Sequence, residues 1–236
     1  FLGRRHSVKQ VLSAIEASRK AGFHNIGLDL IYGVPEQNID LWLDTLRQTI
    51  VFSPEHLSCY QLTLEAKTPL GIRCQAGEFF VPGEELQYEF FMRTSEFLED
   101  ARYIHYEVSN FARGIEHTSR HNQKYWDHSP FLGLVPSAHS FYRNQRWWNH
   151  RSLDQYFDTI NGGNLPIEGK EILTMEQLQL EALYLGLRTK RGVCLEDFKN
   201  QYACDLFTEK KELLGKLEEE GFISIEDGYL YPTQRG

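Results

Sequence analysis

The stretch Gly27-Leu28-Asp29-Leu30-Ile31-Tyr32-Gly33-Val34-Pro35 constrains this chain more than any other. Its apolar residues run almost without a break and end at Gly and Pro, the pattern of a parallel strand buried on both faces. Alternation puts Ile26, Leu28 and Leu30 on one face and Gly27, Asp29 and Ile31 on the other. A carboxylate inside such a run is costly without partners. Two readings of Asp29 stay open from the strand alone. It is a structural Asp satisfied by backbone N–H groups. Or it points into a ligand cavity at the C-terminal end of a parallel strand, where barrels and doubly wound sheets keep their sites.

The flanking pattern decides the fold class. Ser7 caps a helix over 8–20 that carries Val8, Val11, Leu12 and Ile15 on one face. A second helix over 39–52 repeats Ile39, Trp42, Leu43, Leu46 and Ile50, and a third over 85–101 repeats Phe90, Phe91, Phe97 and Leu98. Strands are expected at Gly27–Ile31, Leu57–Thr63 and Ile104–Ser109, adjacent and parallel, with these helices outside. Cys59, Gln61 and Thr63 share one face of the middle strand. Residues 66–83 read as a long irregular loop, marked by Thr68-Pro69, Gly71, Gly77 and Pro82-Gly83. Three strands are too few to close a barrel.

Residues 111–150 change character. Phe111, Tyr125, Trp126, Phe131, Phe141, Tyr142, Trp147 and Trp148 lie among His117, His121, His128, His139 and His150, with poor helical or strand periodicity. Aromatic walls with convergent imidazoles suit a flat apolar ligand. A packed aromatic minicore under loops fits the same composition. Asn161-Gly162-Gly163-Asn164-Leu165-Pro166 reads as a linker, which divides the chain into 1–160 and 161–236. From Leu173 onward, three helices and a hairpin around Glu226-Asp227-Gly228 make a winged-helix pattern. That segment holds eight Lys/Arg against twelve Asp/Glu. Without a basic footprint it reads as a structural or protein-contact module rather than a DNA reader.

Charge and cysteines narrow the function classes. A formal net charge of -8 argues against non-specific binding to nucleic acid or an anionic membrane. No apolar run approaches the roughly 18 residues of an integral membrane segment, and no signal peptide is visible. Cys59, Cys74, Cys194 and Cys204 lack any metal- or cluster-binding spacing. Scattered thiols of this kind fit a reducing, cytoplasmic compartment. The chain opens on Phe1-Leu2-Gly3-Arg4 rather than Met, as a fragment would.

Several motifs in order carry a resemblance. Leu2-Gly3-Arg4-Arg5-His6 resembles the LGRxH segment, and Asp29-Leu30-Ile31-Tyr32-Gly33-Val34-Pro35-Glu36-Gln37 the DLIYGLPxQT strand, of the oxygen-independent coproporphyrinogen III oxidase-like radical SAM family. Tyr106-Glu107-Val108-Ser109-Asn110-Phe111-Ala112 is similar to that family's YEISNFA. His121-Asn122-Gln123-Lys124-Tyr125-Trp126 matches HNxxYW, and Ser137-Ala138-His139-Ser140 the SAHS that follows. The resemblance extends to Thr233-Gln234-Arg235-Gly236. Ordered motifs at coherent spacing are far more specific than any one alone.

The resemblance implies an α/β fold: the later strands of a (βα)6 radical SAM partial barrel, then a C-terminal helical, winged-helix-like domain. It implies S-adenosyl-L-methionine (SAM) contacts at Arg4, to the carboxylate, and at Asp29, to ribose hydroxyls, with Thr63 and His139 lining the rest of the pocket. An Arg fork suits a carboxylate. HNxxYW is associated with the heme-chaperone (HemW) branch, which implies His121 as a ligand to heme iron. His121 equally fits a loop histidine that bonds backbone. The partners implied are heme or porphyrin, SAM and a heme-acceptor protein. The family's CxxxCxxC, which holds a 4Fe–4S cluster in the full-length protein, is absent from this chain. Residue 135 is Val where the family has Gly, which predicts an altered wall there because Val resists positive φ. Three functions remain open: a heme chaperone, an oxygen-independent coproporphyrinogen III dehydrogenase that converts propionate to vinyl, and a non-enzymatic binding module.

Overall fold

The computed structural model describes residues 1–236. Contacts divide them into two compact units, Phe1–Thr118 and Ser119–Gly236.

The first unit begins with α1 (Val8–Lys20), started by a Ser7/Gln10 capping box. Then come β1 (Gly27–Tyr32), α2 (Ile39–Ile50) capped by Asn38, and β2 (His56–Gln61). β1 and β2 pair in parallel, Gly27 opposite His56 and Asp29 opposite Ser58. α3 (Pro69–Gln75) and α4 (Glu84–Asp100) follow, then β3 (Ile104–Glu107) and β4 (Asn110–Ala112). The sheet order is β1-β2-β4-β3.

The helices and the parallel β1–β2 pair match the pattern read from the sequence. Two expectations fail here. The third strand is not adjacent to the second. The chain turns at Val108-Ser109, and β4 inserts antiparallel to both β2 and β3. The turn lacks a Gly, Asn or Asp pair, so the sequence carries no hairpin signal. The 66–83 segment is not all loop. Thr68 caps α3 and Pro69 takes its first turn, so a pair that looks like a turn starts a helix.

The core of this unit lies between one sheet face and the helices. Leu28, Leu30 and Tyr32 join Leu57, Cys59 and Phe111 against Trp42, Leu43, Leu46, Phe90 and Leu98. Fully burying such side chains contributes roughly 1.5–3 kcal/mol each. The other face is less covered. Asp29 is exposed, so β1 is a one-sided strand rather than one buried on both faces.

The second unit opens with α5 (Arg120–Trp126), capped by Ser119. β5 (His139–Tyr142), β6 (Gln145–Asn149) and, after α6 (Leu153–Asn161), β7 (Ile167–Ile172) form an antiparallel sheet in that order. The aromatic stretch thus holds a helix and two strands, with a loop over 127–138 between them. Gly169 makes the sheet possible, because a Cβ there would lie 2.4 Å from Cζ2 of Trp148. Then come α7 (Met175–Gly186), β8 (Val193–Cys194), α8 (Leu195–Tyr202), α9 (Leu206–Glu209), α10 (Lys211–Glu219), β9 (Ile223–Glu226) and β10 (Tyr229–Pro232). A β8-β10-β9 sheet completes the winged-helix pattern. Asp227 and Gly228, at φ 49° and 79°, make the left-handed turn its hairpin needs. No helix is long and apolar enough to cross a membrane.

Contacts divide the chain after Thr118, whereas composition changes at 161–166. The reason is packing. Phe131 and Phe141 belong to the same core as Leu173, Leu178, Phe198, Leu214 and Leu230. His128 is buried there, stacked on Phe141 at 4.5 Å, with Nδ1 2.8 Å from the Tyr202 hydroxyl. Its Nε2 lies 3.4 Å from Glu181, which Arg146 grips with two 2.6 Å bonds.

Two stability outcomes follow from these contacts. The Trp42 indole donates to Thr94 Oγ1 at 2.7 Å with both residues buried, tying α2 to α4. Thr94→Val leaves the indole unsatisfied and is expected to lower stability by about 1–3 kcal/mol in urea unfolding; an unchanged midpoint would show that the indole finds another partner. Burial lowers the His128 pKa, only partly offset by the Glu181 carboxylate. The native state therefore disfavours the proton that the unfolded chain takes up near pH ~6.5. Stability is present above that pH and lost as pH falls through the lower native value. The wild type should lose more stability than His128→Gln across that window, and parallel pH profiles would contradict it.

Candidate functional site

The site begins on the face of the first unit's sheet opposite its helix-covered core, exposed at Asp29 and buried at Ser58, Asn110 and Ala112. Register puts Gly27, Asp29 and Ile31 of β1 beside His56, Ser58 and Tyr60 of β2. The same face continues through Asn110 and Ala112 of β4, opposite Ser58 and His56. Asp29 keeps its solvation, so its charge is cheap here and available to a ligand. It acts electrostatically on two neighbours. It pulls the His56 pKa up against the larger lowering by burial, and it adds to the burial that pushes the Cys59 thiol up.

Arg4 is exposed ahead of α1, and Thr63 is exposed two residues beyond the end of β2. The face expected for Cys59, Gln61 and Thr63 therefore stops short of Thr63. Leu62 N–H bonds Tyr32 C=O at 2.8 Å and fixes the exit of β2. No hydrogen bond or ion pair joins Arg4, Asp29 and Thr63 to one another. All three are exposed polar residues of the same unit.

His139 and His121 belong to the second unit. His139 is exposed on β5, directly across from Trp148 on β6, with ring centroids 5.8 Å apart. His121 is exposed on α5, one helical turn before Tyr125. Their rings meet edge to face at 5.0 Å, and Tyr125 meets Phe131 in the same way at 4.8 Å. This ladder is anchored in the core through Phe131. An exposed imidazole beside aromatic rings fits the donor set that a heme needs: one nitrogen for iron and flat apolar surface for the macrocycle. Trp126, at the other end of α5, instead carries the Arg188 guanidinium at 5.1 Å and lines a cavity of about 570 Å³ with Asp127, His128 and Tyr202.

The loop at Val135 differs from expectation. Val135 is not among the residues with positive φ; Ser137 is, at 60°. The C=O groups of Gly133 and Val135 both accept from Asn149 Nδ2 at 3.1 Å, so Val is accommodated without strain.

The four thiols do not fit an iron–sulfur cluster. Cys59 and Cys204 are buried, and the pair Cys59 and Cys74 belongs to a different unit from Cys194 and Cys204. Sequence reasoning missed His56, which falls in no motif and which only the fold places on the strand beside Asp29; His128, named among the imidazoles of the aromatic stretch, lies inside a core.

Comparison with known proteins shows what the chain is similar to. The HemN C-terminal domain family matches residues 173–236. The heme chaperone HemW of Synechocystis sp. is 34% identical over 98% of this chain and 57% of its own length. HemW of Bacillus subtilis is 32% identical over 100% of this chain and 62% of its own. The mitochondrial radical S-adenosyl methionine domain-containing protein 1 of Mus musculus is 32% identical over 90% of this chain and 51% of its own. The chain thus spans 57–62% of the length of the two HemW relatives. The solved structure of coproporphyrinogen III oxidase (HemN) from Escherichia coli, a radical SAM enzyme, covers all of this chain and 57% of its own at a TM-score of 0.76. At 19% identity that likeness shows the fold, here without a closed barrel. Motifs, fold and relatives converge: the chain belongs to the oxygen-independent coproporphyrinogen III oxidase-like radical SAM family, in its HemW branch.

Proposed function

We propose that this chain is the later part of a heme chaperone of the radical SAM fold. In this reading His121 ligates heme iron, Tyr125 flanks the macrocycle, and Asp29 takes the ribose hydroxyls of SAM. Arg4, Thr63 and His139 complete SAM contacts. The observation that carries the reading is the exposed His121–Tyr125–Phe131 ladder on the HNxxYW helix. The HemW relatives support it. A 4Fe–4S cluster belongs to the full-length protein, with ligands outside these residues. The organisation proposed is barrel strands with the aromatic segment over 1–160 and a winged-helix-like domain over 161–236; the family match at 173–236 supports the second. The setting proposed is cytoplasmic, with a heme-acceptor protein as partner.

The residues supply specific chemistry. Neutral imidazole donates a lone pair to iron, so protonation competes with ligation. Tyr125 meets the His121 ring edge to face. The fold likeness to HemN keeps coproporphyrinogen decarboxylation as the second reading. Anaerobic product analysis of the full-length protein with coproporphyrinogen separates the two, since only that reading yields a vinyl product.

Heme added to the chain should give a Soret band that His121→Ala shifts. Binding should decline on acidification, because protonation removes the lone pair that ligates iron. The control is His150→Ala, half-buried and outside the motif; His128 cannot serve, because its removal damages a core. The mutant's band position decides, because apolar surfaces also adsorb heme without ligation. Identical band position and pH profile in mutant and wild type would make His121 a structural residue. Separately, Asp29→Ala should weaken binding of S-adenosyl-L-homocysteine by roughly 1.5–3 kcal/mol, the loss of a charge-assisted hydrogen bond. Unchanged affinity in calorimetry with an intact fold would remove Asp29 from the site.

A further inference from the structure

The face that carries Asp29 also carries an imidazole that no motif marks. His56 stands one position before Leu57 on β2, opposite Gly27. A Cβ at Gly27 would lie 3.7 Å from both Cβ and Nδ1 of His56, so the ring stands over bare backbone. Its Nε2 is 2.7 Å from the Tyr106 hydroxyl. Tyr106 is 7% exposed, so its own rotation is restricted. The other nitrogen, Nδ1, makes no hydrogen bond to the protein.

Asp29 is two residues along the neighbouring strand. From strand spacing and rise, the two Cα atoms are about 8 Å apart on one face. We propose that His56 is a second ligand-contacting residue beside Asp29, meeting the same adenosyl-type ligand through Nδ1, and that Tyr106 positions it. This rests on the reading of Asp29 as a SAM residue.

Three points support it. First, the hydrogen-bond geometry. When the Tyr106 hydroxyl, 2.7 Å away, donates to Nε2, the neutral ring carries its proton on Nδ1. The face then offers a carboxylate acceptor and an imidazole donor side by side. A nucleoside presents the complement, ribose hydroxyl donors joined to a base whose ring nitrogens accept. Second, protonation. Burial lowers the proton affinity of His56 more than Asp29 restores it, which keeps the ring neutral near pH 7. Third, cost. The interior of a (βα) sheet is ordinarily filled by branched aliphatic residues. Here buried Ser58, Tyr106 and Asn110 line it, and Asn110 Oδ1 has no partner. Each such polar group costs stability that an aliphatic layer would not, and a ligand-facing floor is the use that offsets it.

Paired substitutions separate contact from scaffold. Asn places its amide where Nδ1 was, and Gln places it where Nε2 was. Affinity for S-adenosyl-L-homocysteine is measured by calorimetry for wild type, Asp29→Ala, His56→Asn, His56→Gln and Tyr106→Phe, with unfolding midpoints alongside. Expected are near-wild-type affinity for His56→Asn and a loss of about three- to tenfold for His56→Gln, the range of one neutral hydrogen bond. Tyr106→Phe should lose less. The reverse order, with Gln retaining affinity and Asn losing it in step with stability, makes His56 structural and overturns the proposal. Binding lost in Asp29→Ala but unaffected by any His56 variant also overturns it while leaving the SAM reading intact. No binding by the wild type overturns both.

Discussion

The parallel pairing of β1 with β2 is the constraint on which the first unit depends. It sets Leu28, Leu30 and Tyr32 in one layer with Leu57 and Cys59, and α2 and α4 cover that layer. The pairing is pinned at its start: Glu55 accepts from Ile26 N–H at 2.8 Å and pairs with Arg19 of α1 at 2.8 Å. Once one face is committed to the core, alternation delivers Asp29, His56 and Ser58 to the other. A slip of one residue would bury the Asp29 carboxylate and expose the leucines. The polar face shared by Asp29, His56 and Ser58 is thus a by-product of correct core packing.

The second unit uses a different device. Its core is shared between aromatic residues from before the 161–166 stretch and aliphatic residues from after it. Buried His128 and the Arg146–Glu181 pair tie the end of α5, β6, α7 and α8 together. The Arg146–Glu181 pair is only half-buried, so its part is to fix geometry more than to add stability. Its effect is to hold α5 firmly, and α5 carries His121. The exposed imidazole is therefore carried on a helix rather than on a loop.

Much of this was legible in the sequence, for physical reasons. Ser7 and Asn38 announce helix starts because unpaired N–H groups need acceptors. The β1 run and the three amphipathic helices are long and periodic. The Asp227-Gly228 hairpin needs positive φ, which those residue types tolerate. What was missed is short or unmarked. Thr68-Pro69 signals a turn and a helix start equally well. β4 is three residues long behind an unsignalled turn. β5 and β6 join through Arg143 at φ 59°, a residue type that gives no turn signal. The exposure of Asp29 depends on which face the helices choose, and strand hydrophobicity alone does not encode that. His56 and His128 show the limit for sites: one stands beside a candidate carboxylate, the other is core, and only their neighbours distinguish them.

The account stands on the sheet face opposite the core being the ligand face of the first unit. Backbone amide chemical-shift mapping on the isotope-labelled chain, titrated with S-adenosyl-L-homocysteine, tests it most directly. The predicted result is saturable shifts concentrated at residues 27–31 of β1 and 56–60 of β2, with α2 and α4 amides little changed. Shifts concentrated on the α2 and α4 surfaces, or none at saturating ligand, would contradict it.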